Sequence, residues 1–181
     1  MILFLYLIIL VFGFIIPLLF AIYGVFCIIV DFTGAPYVPT SQKILEEILE
    51  GAKLKKGQQW LELGSGDGRA TRLAVRRYGV AGTGIDIHIP LIFYSRLLAR
   101  LQNLKNIHFR IQNLFSTDLR NYDVIFMFLL PVTLKKLCAK LEKECSKGTL
   151  VISHGFRILG FEKYLVIVQK RKLFPTYFYK L

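Results

Sequence analysis

Gly64, Gly66 and Gly68 alternate with single residues, and Glu62 stands two positions ahead of the first of them, in the run Gln59-Trp60-Leu61-Glu62-Leu63-Gly64-Ser65-Gly66-Asp67-Gly68-Arg69. Glycine is needed where the backbone takes positive φ, or where a ligand must come close without a Cβ in the way. The apolar run before the turn and the helical sequence Ala70 to Tyr78 after it predict a buried strand, a tight turn and a helix. The exposed N-terminal amides of such a helix favour a polar ligand. A second carboxylate, Asp86, stands eighteen residues beyond Gly68 in the strand-like run Ala81-Gly82-Thr83-Gly84-Ile85-Asp86-Ile87. There it can accept hydrogen bonds from both hydroxyls of a ribose, which points to a nucleoside ligand. The dinucleotide spacing G-x-G-x-x-G is not met, because Gly68 follows Gly66 after one residue and Arg69 holds the next position.

The elements that must position these groups alternate regularly. Thr40 or Ser41 is a suitable N-cap for a helix whose Ile44, Leu45, Ile48, Leu49 and Ala52 share one apolar face. The helix after Gly68 stops at Gly79, a suitable left-handed cap. Ile89 to Leu101 is the next helix, with Pro90 in its tolerated first turn. Ile107 to Ile111 alternates as a half-exposed strand, and Tyr122 to Leu130 is apolar almost throughout, as a central strand buried on both faces should be. Val132 to Cys145 is a helix and Gly148 to Ser153 the fifth strand. Two further strand-like runs, Tyr164 to Gln169 and Thr176 to Tyr179, follow with no helix between them. Strands alternating with helices and finishing in a hairpin describe an α/β open sheet with an antiparallel edge.

Hydrophobic residues make up 54% of the 181 residues, and much of the excess is N-terminal: Met1 to Val30 carries no charged side chain. As one helix that segment is about 45 Å long against a hydrocarbon core of about 30 Å, so the expectation is a single uncleaved transmembrane anchor over 1–30. A connector over 31–41 and a catalytic domain over 42–181 complete the organisation. All 24 Lys and Arg residues follow the anchor, which puts the domain on the cytoplasmic or equivalent side. The net charge of +12 suits anionic lipid beside such an anchor. Cys27, Cys138 and Cys145 are odd in number and lack paired spacing, and His88, His108 and His154 are scattered, so neither disulfides nor a metal site is expected.

The pattern E-x-G-x-G-x-G resembles motif I of the class I, seven-strand S-adenosylmethionine-dependent methyltransferases, which implies a Rossmann-like sheet of order 3-2-1-4-5-7-6 with its seventh strand antiparallel. The whole chain further resembles the membrane-anchored protein-lysine methyltransferases that act on the adenine nucleotide translocase and the ATP synthase c subunit. That likeness rests on the N-terminal span, on Pro36-Tyr37-Val38-Pro39-Thr40 directly before the first helix of the domain, and on Leu63 to Arg69. It implies a cofactor site of Glu62, Gly64, Ser65, Gly66, Gly68 and Asp86. Asn113 and Leu114 would lie beside the adenine, where the group more often has Asp-Leu. The implied substrate is a membrane protein. Leu129-Leu130-Pro131 departs from the Asn/Asp-Pro-Pro-Tyr signature of amino methylation on adenine bases, which argues against a nucleic-acid substrate.

The cofactor's sulfonium is already an activated leaving group, so the protein must align the acceptor and supply it neutral. A lysine of ordinary pKa costs about 4 kcal/mol to deprotonate at neutral pH, and desolvation lowers that cost. Tyr37, Pro39, Phe128, Leu129, Leu130, Pro131, His154 and Phe156 are the candidates for an apolar substrate mouth; no residue is nominated as a catalytic base. The competing readings are methylation of a lipid or lipophilic small molecule, and a non-catalytic cofactor-binding membrane module.

Overall fold

The computed structural model describes residues 2–32 and 38–181, with side chains of the first segment at 9–24. The chain divides into two compact units, Met1–Val38 and Pro39–Leu181. In the first, α1 (Ile2–Phe32) is a single 31-residue helix that contains Pro17. Its described side chains face outward, Phe14, Leu18 and Phe20 among them. A long N-terminal helix therefore forms as the sequence predicts. Among the described residues, however, no helix is long and apolar enough to cross a membrane.

The second unit carries α2 (Gln42–Ala52), β1 (Gln59–Leu63), α3 (Arg69–Tyr78), β2 (Ala81–Asp86), α4 (Ile89–Leu101), β3 (Ile107–Ile111), β4 (Val124–Met127), α5 (Pro131–Glu144), β5 (Leu150–His154), β6 (Leu165–Gln169) and β7 (Thr176–Lys180). The seven strands form one sheet in the order β3-β2-β1-β4-β5-β7-β6. The first five are parallel, and β7 runs antiparallel to both β5 and β6.

Strand alternation sorts side chains to two cores. Trp60, Val124 and Phe126 meet α2 and α3 on one face, and Leu61, Leu63, Ile125 and Met127 meet α5 on the other. On the α2 and α3 face, Trp60 and Phe126 stack with ring centroids 5.6 Å apart. Helix α2 inserts Leu45, Ile48, Leu49 and Ala52, the stripe expected from its spacing, with Ser41 as its N-cap. Gly79 ends α3 in the left-handed conformation, as predicted.

The largest difference from the expected boundaries is at the junction of β4 and α5. Strand β4 is only Val124–Met127, and α5 starts at Pro131 rather than after it. Pairing ends where β1 turns away at Gly64, so Phe128 to Leu130 leave the sheet as a loop at its C-terminal edge. Proline suits the first turn of α5 because its missing N–H has no intrahelical partner there.

Candidate functional site

The glycine turn is built from the sheet outward. Gly64 N and Ser65 N both donate to Ile85 O of β2, at 3.0 and 2.8 Å, and Gly68 N donates to Ser65 O at 2.7 Å. Gly64, Gly66 and Gly68 all hold positive φ. At Gly64 a Cβ would lie 2.9 Å from Leu129 Cδ2, so that glycine lets the β4 loop close against the turn. Ser95 of α4 donates its hydroxyl to Gly66 O at 3.0 Å and pins the turn from the side.

Asp86 joins the turn to the second strand. Its Oδ2 accepts from Gly66 N at 2.8 Å, and its Oδ1 accepts from His88 N at 2.9 Å and contacts His88 Nδ1 at 2.9 Å. A carboxylate has about four lone-pair sites, so capture of two ribose hydroxyls requires the His88 ring to give up its bond.

Glu62 works beneath the turn. Its Oε2 accepts from Thr71 N at 3.0 Å and from Thr71 Oγ1 at 2.6 Å, and Thr71 Oγ1 in turn accepts from Trp60 Nε1 at 3.1 Å. This buried relay fixes the start of α3 to β1. Burial drives the Glu62 carboxyl up to about 8, against the lowering effect of the Thr71 bonds. A carboxyl that binds its proton more tightly when folded stabilises the fold at low pH, and that contribution fades as pH rises through the folded value. The wild-type denaturation midpoint is therefore expected to fall between pH 5 and pH 8, while Glu62→Gln, which keeps a carbonyl acceptor for Thr71, changes little over that interval. Parallel midpoints in the two proteins would contradict the assignment.

Asp67 is gripped by its neighbour: Arg69 Nε lies 3.0 and 3.1 Å from the two carboxylate oxygens, and Nη2 lies 2.9 Å from Oδ2. Burial alone would raise this carboxyl, but the Arg69 fork outweighs it and holds the group below the usual range. Arg69 Nη1 also donates to Thr40 O at 3.0 Å, which ties the last residue of the proline-rich segment to the glycine turn. Tyr37 lies outside the described residues; Pro39 is exposed. Asn113 caps a 3-10 turn, its Oδ1 accepting from Phe115 N at 2.9 Å, and Leu114 is half-buried beside it. One lone pair of the Asn113 carbonyl remains for another donor.

The substrate-mouth candidates divide. Leu129 is buried against the turn, and Pro131 is exposed at the start of α5. Phe128 and His154 are in ring contact at 4.7 Å, and a residue with no sequence signal, Phe174 of the β6–β7 connection, stands 5.3 Å from Phe128 and 6.4 Å from Phe156. Gly155, at φ +87°, leaves the space these rings fill, since a Cβ there would lie 2.6 Å from Phe128 Cε2.

His154 is tied down rather than poised. Its Nδ1 lies 3.0 Å from Thr176 Oγ1, which also accepts from Arg171 Nη1 at 2.9 Å. Arginine only donates, so the threonine hydroxyl is free to donate to Nδ1, an arrangement that leaves the ring proton on Nε2. Burial and then the Arg171 charge lower the His154 pKa to about 4, so the ring is neutral at pH 7. Arg171 is itself paired with Glu47 of α2 at 2.9 Å. A cleft of about 290 Å³ lined by Lys53, Lys55, Asp123 and Lys180 lies at the opposite, N-terminal ends of the strands and holds none of these residues.

The fit to S-adenosylmethionine is good on three counts. The turn is stripped of Cβ atoms where it faces the β4 loop, the buried Ser65 hydroxyl in it has no hydrogen-bond partner among the described residues, and a carboxylate closes the second strand. Residues 62–164 match the ANTKMT methyltransferase domain family. A protein-lysine N-methyltransferase of Saccharolobus islandicus (strain REY15A) is 34% identical over 140 residues, covering 73% of this chain and 83% of that protein. The human lysine N-methyltransferase of the ATP synthase c subunit is 28% identical over 122 residues, 67% of this chain; the chain spans only 52% of that relative. The crystal structure of an RNA methyltransferase from Salinibacter ruber in complex with S-adenosyl-L-homocysteine superposes with a TM-score of 0.74 at 30% identity, covering 79% of this chain and 93% of that one. A seven-strand sheet in methyltransferase order, a glycine turn pinned to the carboxylate that ends β2 and this family match lead to one conclusion: the chain belongs to the ANTKMT methyltransferase domain family and is a class I S-adenosylmethionine-dependent methyltransferase.

Proposed function

We propose that the protein methylates the ε-amine of a lysine in a membrane protein, with α1 as its membrane anchor and the catalytic domain on the cytoplasmic or equivalent side. The observation that carries the reading is the aromatic mouth of Phe128, Phe156 and Phe174, adjoining the cofactor turn through Leu129. The protein-lysine activity named for the archaeal relative and the ATP synthase lysine activity named for the human one support it. So does the sequence from Met1 to Val30, which has no charged residue and coincides closely with α1.

When bound, S-adenosylmethionine supplies a methyl group on an activated sulfur leaving group. Gly64, Ser65, Gly66 and Gly68 would carry its amino-acid end, Asp86 its ribose, and Asn113 with Leu114 its adenine. The aromatic mouth desolvates the arriving lysine, which favours the neutral amine. With His154 kept neutral by burial and the Arg171 charge and held in place by Thr176, its ring serves as a wall of that mouth. Phe128→Ala and Phe174→Ala are expected to lower kcat/KM for the acceptor roughly tenfold each, the scale of a lost aromatic contact, with cofactor affinity unchanged. Unchanged kcat/KM in both would remove the mouth from the mechanism.

The likeness to an RNA methyltransferase and the net charge of +12 favour a second reading, a nucleic-acid acceptor. Incubating the protein in its own membranes with methyl-labelled cofactor, then separating protein, lipid and RNA, decides between them. The lysine reading expects label in protein and, after hydrolysis, on methylated lysine. Label confined to RNA or to lipid would overturn it.

A further inference from the structure

Helix α4 is apolar on both of its faces. Ile92 and Ala99 pack inward with Phe109 of β3, as an ordinary amphipathic helix would. The outward face should then be polar, yet Ile89, Phe93, Leu97 and Leu101, spaced four residues apart, are 52, 58, 53 and 69% exposed, with Tyr94 beside them at 50%. The other helices of the domain do not share this: α3 turns Arg76 and Arg77 outward, and α5 turns Lys135, Lys136 and Lys143 outward.

The charge in this stretch of chain has one sign. From Ile87 to Thr117 the chain contains Arg96, Arg100, Lys105 and Arg110 and no Asp or Glu. Arg100, Lys105 and Arg110 are exposed. Arg96 is held by two donations to Phe109 O, at 2.9 and 2.7 Å, which place its guanidinium 5.6 Å from the Phe93 ring. An exposed apolar stripe on a helix whose own stretch of chain carries cations and no anions suits a surface that seats in an anionic bilayer.

We infer that the outer face of α4, with the exposed cations Arg100 and Lys105 at its C-terminal end, is a docking surface for an anionic lipid bilayer. A second copy of the chain fits poorly, because a symmetric contact would set Arg100 and Lys105 near their own copies. The cofactor does not account for the stripe either. Helix α4 runs back from Asp86 toward the start of β3, so Leu97 and Leu101 lie away from the C-terminal strand ends that carry the glycine turn. The inference does not rest on the identity of the methyl acceptor, and its test reads position rather than methyl transfer.

The full chain is incorporated in vesicles of phosphatidylcholine alone or with phosphatidylglycerol. It carries a nitroxide at Leu97→Cys, or at Val132→Cys on α5, in a background with the three native cysteines replaced. With anionic lipid, the label at 97 is expected to collide more with oxygen than with a water-soluble nickel complex, while the label at 132 keeps the aqueous ratio. An aqueous ratio at 97, or shielding from both reagents, would overturn the inference, the latter by pointing to a protein partner. The wild-type chain gives a second reading free of folding defects: anionic vesicles should slow acetylation of Lys105 several-fold relative to Lys135. Equal slowing of the two would also overturn it.

Discussion

Asp86→Ala is expected to weaken binding of S-adenosylmethionine by roughly a hundredfold or more. A hydrogen bond to a charged group contributes about 1.5–3 kcal/mol, and two ribose hydroxyls on one carboxylate exceed the roughly 2.7 kcal/mol that corresponds to that factor. The same substitution orphans Gly66 N and His88 N, which Asp86 satisfies in the folded protein. Binding and folding are therefore hit together, and Asp86→Asn separates them. Its amide oxygen retains an acceptor for Gly66 N while its NH2 faces His88 N, so Asn should recover part of the thermal stability and a smaller part of the affinity. Calorimetric titration with S-adenosyl-L-homocysteine, paired with denaturation of each variant, reads the two effects independently. Affinity unchanged in Asp86→Ala would remove this carboxylate from the cofactor site.

Gly68→Ala is expected to be the most destabilising single-methyl change in the turn. Gly68 holds φ 72° and ψ 19° as the N-cap of α3. A Cβ there would lie 2.3 Å from Phe109 Cε1 and 3.1 Å from Ser95 Oγ. The left-handed conformation costs a non-glycine residue about 1–2 kcal/mol. Displacing a buried ring from a packed core adds about 1–3 kcal/mol. Gly57 is the matched control, since it holds φ +84° and, among the described residues, nothing lies within 4 Å of the added methyl. Gly57→Ala should therefore show the backbone cost alone. The difference between the two midpoints in urea isolates the Phe109 contact, and equal losses would show that the ring yields freely.

The parallel half of the sheet was legible because each element carries a local signal. Alternation or an unbroken apolar run marks β1 to β5, helical spacing marks α2 to α5, and glycine marks the turn and the α3 cap. The placing of the glycine turn beside Asp86 was legible for the same reason, since both lie at the ends of adjacent strands in register. What escaped depends on contacts between distant parts of the chain. Thr71 has no motif of its own, and its role comes from lying over Glu62 and Trp60 on one face of β1. Arg171 and Phe174 sit in the connection between β6 and β7, and they reach Glu47, Thr176 and Phe128 only because β7 inserts beside β5. The length of β4 was overestimated because Phe128 to Leu130 are as apolar as the strand itself. They are apolar for a different reason, as the loop that closes on Gly64.

The structure of the protein with S-adenosyl-L-homocysteine tests the central claim most directly. The account predicts the ribose hydroxyls within hydrogen-bond distance of Asp86, the amino-acid end along Gly64 to Gly68, and the sulfur facing Phe128 to Leu130. A ligand seated away from the turn, for instance in the cleft beside Lys53 and Lys180, would contradict it.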